Sequence, residues 1–364
     1  LVRLMYRESP MFLEVGSVSA QFVFDQSADL SGTLNENIGA QRGNPGSLSI
    51  GGSFGYAERP TITYAPLSGG DFVQRLLSPI SVESVVMLTH SGWSIDRVFS
   101  LAVQEMNGLD NAGMASGPTP ALAPDTGAFA RCTELLRALQ LDRQLTLEYE
   151  DRAMPVSDPL PAALITADAF VTATAAGARF RASEGGGAYV LTRTSPALIL
   201  RFADGAARSA DAAELRRLLG LSPDQSRYDL VLGRKTGGGE TDAQGHHANI
   251  ALHTRSLLGV MFYLSQAVDV PPDHRERNLV TNTVDAAGQP FDWSRILGDL
   301  FKVHSRKMHP DGAYIAIQHR GYWFYIRDDD LATKSTFALL GQLFTLQAGG
   351  AAGITPVLTL PVGG

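Results

Sequence analysis

The stretch AYIAIQHRGYWFYIRDDDLATKSTFALLGQLFTLQ, residues 313–347, carries the strongest local pattern of the sequence and decides the predicted fold. Two runs rich in Ile, Tyr, Trp and Phe flank Arg320-Gly321, which is the pattern of a β-hairpin. The three aspartates at 328–330 are expected to end the second strand and to cap the following helix. With a final strand at 356–362, this order indicates an α+β fold whose mixed sheets carry helices packed on one face.

Hydrophobic periodicity extends this interpretation to the rest of the chain. Helices are predicted at 71–80, 81–91, 95–108, 129–141, 211–221 and 247–268. Strands are predicted at 12–24, 58–67, 143–152, 178–183, 188–194, 196–205 and 228–235. Ser94 is a suitable N-cap for the third helix, and Asp211 with Glu214 forms a candidate capping box for the fifth.

The length of 364 residues predicts two domains, since one hydrophobic core seldom serves so long a chain. Residues 155–163, PVSDPLPAA, contain three prolines and are typical of a connector. The sequence therefore predicts an N-terminal domain of β, loop and helical segments at 1–154. An α+β domain is predicted at 155–364.

Composition limits the classes of function. The formal net charge is −7 and only four basic residues are lysines, which argues against a nucleic-acid binder. Charged residues make up 18% of the chain, a low share that suggests surfaces covered by neighbours. The apolar run at 256–268 is too short to span a membrane.

A single cysteine, Cys132, excludes both an intramolecular disulfide and a cysteine zinc site. Cys132 lies beside the apolar positions of a predicted helix, so we expect a buried, unreactive thiol.

One segment matches a motif for nucleophilic catalysis. Residues 51–55 read G-G-S-F-G and fit the G-x-S-x-G pattern, which needs a strand before the serine and a helix after it. Here a predicted strand follows instead, within a Gly/Ser/Asn-rich stretch from 27 to 55. We therefore expect that Ser53 is not a nucleophile, and no catalytic residue is predicted.

Two histidine groups are candidates for metal binding. His246 and His253 are seven residues apart and could share a helix face beside His247, but the sequence lacks an H-E-x-x-H pattern. His304, His309 and His319 flank the hairpin near the three aspartates. The simpler interpretation is a polar helix start for the first group and turn or cap roles for those aspartates. No metal and no cofactor is predicted.

The hairpin and the C-terminal tail are the candidate interaction surfaces. Tyr314, Tyr322, Trp323, Phe324 and Tyr325 form an aromatic cluster that can pack across strands, stack on a sugar or base, or contact a partner chain. From 335 to 364 the chain has no charged residue.

The helix at 336–347 has apolar residues on more than one side, which predicts either burial on both sides or contact with a partner. Its tail segment VLTL is expected to add a strand to a neighbouring sheet edge. The predicted interaction residues are Tyr322, Trp323, Tyr325, Phe337, Leu340, Phe344, Val357, Leu358 and Leu360.

Three segments, at 58–80, 91–109 and 319–347 with 356–363, together resemble a group of uncharacterised Gram-negative bacterial envelope proteins, many of which have lipoprotein leaders. The resemblance implies a cell-envelope location, in the periplasm or at the outer membrane, and no catalytic residues. The lipobox cysteine of such proteins is not among these residues, so association with a membrane through a lipid anchor is an expectation from the resemblance alone.

These observations favour a non-enzymatic, envelope-associated scaffolding protein that belongs to a homo- or hetero-oligomeric protein assembly. Two alternatives stay open at this point. One is a hydrolase that uses the histidine-rich C-terminal region. The other is a module that binds glycan or peptidoglycan through the aromatic hairpin.

Overall fold

The computed structural model describes residues 1–10, 12–32, 48–66, 70–183, 187–233, 245–348 and 358–361. Its helices are α1 (Val2–Met5), α2 (Gly70–Leu77), α3 (Val82–His90), α4 (Ile95–Ala102), α5 (Gly127–Leu141), α6 (Ala167–Ala175), α7 (Ala210–Leu219), α8 (Leu257–Ser265), α9 (Pro272–Glu276), α10 (Ser294–Leu297) and α11 (Leu331–Ala348).

The strands are β1 (Leu13–Gly32), β2 (Leu48–Pro66), β3 (Val103–Met106), β4 (Leu109–Asp110), β5 (Leu145–Pro155), β6 (Leu160–Pro161), β7 (Ala178–Ala182), β8 (Ala188–Phe202), β9 (Arg227–Leu232), β10 (Asn249–Thr254), β11 (His304–Arg306), β12 (Ala313–His319), β13 (Tyr322–Arg327) and β14 (Leu358–Pro361). Helices combined with mixed sheets confirm the predicted α+β class.

Residue contacts divide the chain into two units. Unit 1 comprises Leu1–Pro10 and Gln74–Gly349, and unit 2 comprises Met11–Val73 and Gly350–Gly364. The boundary predicted between residues 154 and 155 does not separate them. β5 and β8 pair along the whole of β5, so the proline-rich segment joins strands of one sheet.

Unit 2 contains a long antiparallel ribbon of β1 and β2, to which β14 adds a short third strand. We call these three strands the β-ribbon. Its register runs from Leu13↔Pro66 to Gly32↔Leu48. β1 and β2 extend beyond the strands predicted at 12–24 and 58–67 into the Gly/Ser/Asn-rich stretch, because each strand satisfies the backbone of the other.

Unit 1 is built around a sheet of order β4-β3-β10-β9-β8-β5, in which β9 and β10 are parallel. Side chains from α3, α4, α5 and α7 are buried in its core, among them Val85, Phe99, Leu136 and Leu215. Cys132 is fully buried in α5, as predicted, and burial raises the pKa of its thiol to about 12.

The single helix predicted at 247–268 is wrong. Residues 249–254 form β10, where Ile250, Leu252 and Thr254 are buried at every second position. α8 begins only after Ser256, whose side-chain oxygen accepts a hydrogen bond from the backbone N–H of Gly259 at 3.0 Å. The alternation of buried and less buried residues that marks this strand is not apparent from the sequence, because the apolar helix follows the strand almost without interruption.

Arg255, between β10 and α8, is 1% exposed. Its guanidinium donates hydrogen bonds to the backbone oxygens of Leu101, Val103 and Asn111 and to Ser116 Oγ. The guanidinium carbon lies 3.9 Å from the ring centroid of Tyr263. Burial lowers the pKa of Arg255 to about 10, so the side chain remains protonated at neutral pH.

The end of α4 and the cap of α7 differ from prediction, whereas α4 begins at Ile95 after Ser94, as predicted. α4 ends at Ala102 instead of residue 108, because the following residues pair as β3 with β10. Ser94 takes the N-cap position of α4 without a side-chain hydrogen bond. α7 is capped by Ser209, whose oxygen accepts a hydrogen bond from the backbone N–H of Ala212, and not by Asp211.

The second sheet of unit 1, of order β11-β13-β12, confirms the predicted hairpin. Arg320 and Gly321 form its turn with φ values of 49° and 83°. Positive φ at both central residues suits the right-handed twist of a two-residue hairpin. Asp330 caps α11 by accepting a hydrogen bond from the backbone N–H of Thr333 at 2.9 Å, as predicted for these aspartates.

Candidate functional site

The β-ribbon is the most unusual surface of the described chain. β1 and β2 have 20 and 19 residues, whereas most strands have 3–10 residues. At about 3.3 Å per residue the ribbon extends roughly 65 Å. Among the described residues no strand pairs with the outer edge of β1, and β14 covers β2 only at 61–64. Two long strand edges therefore present unpaired backbone groups.

Residue types alternate along this ribbon. Positions two apart in a strand belong to the same face. One set of register pairs supplies most of the apolar residue types: Phe24↔Tyr56, Gln26↔Phe54, Ala28↔Gly52 and Leu30↔Ile50. The intervening pairs are polar or contain glycine: Asp25↔Gly55, Ser27↔Ser53, Asp29↔Gly51 and Ser31↔Ser49. The sequence thus assigns a mainly apolar and a mainly polar face to this part of the ribbon.

The predicted tail residues belong to this sheet. Leu358 pairs with Tyr64 and Leu360 with Ile62, so β14 adds to a strand edge of its own chain. The tail strand was predicted to add to a neighbouring sheet edge; it pairs instead with β2 of its own chain. Val357 lies outside the described residues.

α11 buries one side. Thr333, Thr336, Leu339 and Leu343 form its buried stripe, and the predicted interaction residue Leu340 is also buried. Phe337 and Phe344 are half-buried, and Leu346 is 42% exposed. The opposite side carries small and uncharged residues such as Gly341 and Thr345 that are exposed. Of the two predicted alternatives, burial on both sides is thus not found within the described chain, and contact with a partner stays a prediction.

The aromatic hairpin splits its side chains between two faces. Phe324 is buried, whereas Trp323 and Tyr325 are half-buried on the other face of β13. There the Trp323 ring centroid lies 4.6 Å from that of His309, and the Tyr325 centroid lies 5.4 Å from that of His304.

Tyr322 and Tyr314, the outer members of the cluster, have polar partners. Tyr322 donates a hydrogen bond from its hydroxyl to Asp273 Oδ1 at 2.8 Å, which lowers the pKa of that carboxyl. Tyr314 is 48% exposed, with the ammonium of Lys334 at 4.8 Å from its ring centroid.

A cluster that sequence reasoning missed holds the N-terminal segment on unit 1. The Tyr6 hydroxyl lies 2.6 Å from Nδ1 of His274, a side chain that is 3% exposed. Glu8 accepts a hydrogen bond from Arg320 at 2.8 Å, and its Oε1 lies 3.4 Å from His319 Nε2. Burial raises the pKa of Tyr6 to about 12, so the phenol stays protonated.

The histidines of the first group are separated by different packing contacts. His253 faces Glu105 across β10 and β3, with 3.8 Å between Nε2 and Oε1. The ring of His247 packs against Gly220. Within the described ranges, no group of three or more His, Cys, Asp and Glu side chains is placed to hold a metal ion.

Ser53 lies within β2, opposite Ser27. Strand continues on both sides of it, so the strand-turn-helix context of a nucleophile elbow is absent at this serine. The aspartates at 328–330 have structural roles as expected: Asp328 pairs with Lys334 at 2.7 Å, Asp329 pairs with Arg327, and Asp330 caps α11.

Comparison with protein-family models, curated proteins and solved structures finds no match to this chain. In the part of the chain that the structure describes, no helix is both long and apolar enough to cross a membrane.

Proposed function

We propose that this chain is a non-enzymatic scaffolding protein that joins a larger assembly through the edges of its β-ribbon. The observation that supports this is the pairing pattern: two strands of 20 and 19 residues have a third strand along only four positions of β2. A two-stranded hairpin is at best marginally stable in water. Strands from further copies or from partner proteins would extend the sheet by satisfying the open edges.

The residue alternation of the ribbon supports the same proposal. The register pairs between residues 24–30 of β1 and 50–56 of β2 assign most of the apolar residue types to one face of the ribbon. Edge-to-edge association would join such faces into one continuous apolar surface, and face-to-face packing of two such sheets would remove it from water. The polar face then remains the hydrated one.

A shortened ribbon tests this proposal. Phe24 and Tyr56 are a register pair, so a two-residue Asn-Gly turn can join them in place of residues 25–55. The control joins the register pair Gly32 and Leu48 with the same turn, which keeps every β1–β2 pair. Native mass spectrometry should show an oligomer for the natural chain and the control, and a monomer for the shortened chain.

Either of two results would contradict the proposal. One is a natural chain that is monomeric at micromolar concentration without a partner and retains no protein partner when isolated from its own cells. The other is a shortened chain that keeps the oligomeric state of the control. Tryptophan fluorescence checks folding in each variant, because Trp93, Trp293 and Trp323 all belong to unit 1.

A cell-envelope location, in the periplasm or at the outer membrane, is part of this proposal and rests on the resemblance alone. Fractionation of the source cells with an antibody against unit 1 tests it. Recovery with cytosolic markers would contradict the location without affecting the assembly test.

The aromatic hairpin favours glycan binding as a second candidate function. Trp323 and Tyr325 are two residues apart on β13 and half-buried on one face, which is a spacing at which two rings can stack on successive sugars. Sedimentation with purified peptidoglycan tests it. Binding should be lost in Trp323→Ala and retained in Trp93→Ala; equal binding by both variants would exclude the hairpin.

A further inference from the structure

A cavity of about 480 Å³ lies within unit 1, between the segment after α8, the loop at 281–293 and α10. Its volume falls within the range of small-molecule sites in proteins. Leu297 and Phe301 line it and are almost completely buried, and Trp293 is 8% exposed. The cavity therefore has an apolar and aromatic wall.

Gln266 lines the same cavity and is 7% exposed. Its Nε2 makes long contacts of 3.4 Å to the backbone oxygen of Phe262 and to Ser265 Oγ. Its buried Oε1 has no hydrogen-bond partner in the described chain. Buried carboxamide oxygens are nearly always paired. This oxygen has less than 1 Å² of accessible surface, so a donor in the cavity reaches it only after the carboxamide rotates.

The other polar groups of the wall are satisfied within the protein. Thr283 donates a hydrogen bond to the backbone oxygen of Pro120 at 2.6 Å. Thr283 also accepts a hydrogen bond from the indole Nε1 of Trp293 at 3.1 Å. Among these wall groups, Gln266 is thus the acceptor that a bound molecule would complete.

Two acidic and two basic side chains stand at the edge of the cavity. They are Asp269, Asp292, Arg275 and Lys302, and all four are exposed. The Asp292 carboxylate accepts hydrogen bonds from the backbone N–H and the hydroxyl of Ser294. Arg275 makes a single long contact, from Nε to the backbone oxygen of Val270 at 3.4 Å. Among the described residues, no hydrogen bond or ion pair is found for the Asp269 carboxylate or the Lys302 ammonium.

We infer that this cavity binds a small zwitterion, an amino acid or a short peptide with an apolar side chain. On binding, the Gln266 carboxamide rotates so that Oε1 accepts a hydrogen bond from the ammonium or an amide N–H of the ligand, and Asp269 attracts the positive charge. Lys302 and Arg275 attract the carboxylate. The balanced edge charges disfavour a polyanion or a polycation, and the unpaired acceptor disfavours a purely apolar ligand.

Isothermal titration calorimetry of the full chain with the dipeptide Ala-Phe tests this inference. N-acetyl-Ala-Phe and Ala-Phe-amide are the matched probes, since each lacks one of the two charges. We expect Ala-Phe to bind with a Kd below about 1 mM, and each blocked probe to bind about three- to fivefold more weakly. No binding of Ala-Phe at about 10 mM, or equal binding of all three probes, overturns the inference.

Gln266→Leu separates binding from folding. Replacement of an unpaired buried acceptor by an apolar group of similar size should leave the unliganded chain as stable as before, or more so. The same variant should weaken Ala-Phe binding about tenfold. Gln318→Leu, an exposed position on β12, is the matched control and should bind as the natural chain does.

A Gln266→Leu chain that is stable and binds Ala-Phe normally overturns the proposed role of the acceptor. If Gln266→Leu fails to fold, Lys302→Ala takes its place, with Lys307→Ala as the control outside the cavity lining. Equal affinity of those two variants then counts against the inference. The cavity belongs wholly to unit 1, so this outcome is independent of the β-ribbon test.

Discussion

Unit 1 and the β-ribbon use strands in opposite ways. In unit 1 the strands are mostly short, and helices bury side chains such as Val85, Phe99 and Leu215 in a common core. In the ribbon two strands of about three times the usual length pair mainly with each other. Unit 1 thus completes its fold by burial, whereas the ribbon depends on backbone pairing that the described part of the chain leaves unfinished.

This comparison explains why the two regions should respond differently to mutation. A core is sensitive at single positions, because a lost partner leaves a cavity or an unpaired polar group. A ribbon is sensitive to changes in length or at its edges. The following predictions test that difference, and tryptophan fluorescence isolates unit 1 in each of them.

The largest effect is expected for Arg255→Met. The substitution leaves the backbone oxygens that Arg255 binds, including those of Val103 and Asn111, buried without a donor. We expect a loss of about 3–5 kcal/mol in the free energy of unfolding, measured by urea denaturation. Arg193→Met, at an exposed position, should change it by less than about 0.5 kcal/mol. Equal effects of the two substitutions would mean that the buried guanidinium is not a structural anchor.

A smaller effect is expected for Tyr6→Phe. The variant keeps the ring but removes the hydroxyl that lies 2.6 Å from His274 Nδ1. Because His274 is buried, we expect a loss of about 1–3 kcal/mol and faster hydrogen exchange in α1. Tyr149→Phe, whose exposed hydroxyl makes a 3.3 Å bond to Glu83 O, is the control and should cost little. Unchanged exchange in α1 would show that this cluster does not hold the N-terminal segment.

A pH effect is expected from His319. Burial lowers the pKa of its imidazole below the usual 6.5, although Glu8 acts in the opposite direction. The unfolded chain therefore binds the proton more readily, and stability should fall as the pH decreases from about 7 to about 5.5. His319→Gln should reduce this slope in urea titrations, whereas His246→Gln serves as the comparison. A steeper slope in His319→Gln would show that the histidine is protonated in the folded chain.

The smallest effect on unit 1 is expected from deletion of residues 354–364. This removes β14, which pairs with β2 within unit 2. The free energy of unfolding reported by tryptophan should change by less than about 0.5 kcal/mol. Native mass spectrometry should show an assembly that is retained or strengthened, because loss of β14 adds residues 61–64 of β2 to the open edge. Loss of unit 1 structure on deletion would show that the two units do not fold separately.

Local signals allowed part of this fold to be predicted. The turn at Arg320-Gly321 and the cap at Asp330 depend on neighbouring residues, and both are found where expected. The helix predicted at 247–268 failed because a strand and an apolar helix follow one another, and only pairing with β3 and β9 reveals the strand.

The contacts that define the candidate sites depend on distant residues. Tyr6 and His274 meet across most of the chain, and no spacing or motif connects them. The unpaired oxygen of Gln266 follows from the packing around α8, and a sequence carries no direct sign of it. The interrupted pairing of the ribbon likewise requires knowledge of where β14 lies.

The position of β14 gives the β-ribbon an order of completion during synthesis. β1 and β2 are synthesised before residues 74–349 of unit 1, whereas their third strand is synthesised after them. Domains generally form in the order in which they emerge, so unit 1 can fold before this strand exists. Until then, residues 61–64 of β2 have no β14 to pair with. The three-stranded part of the ribbon can therefore form only once translation has passed residue 361.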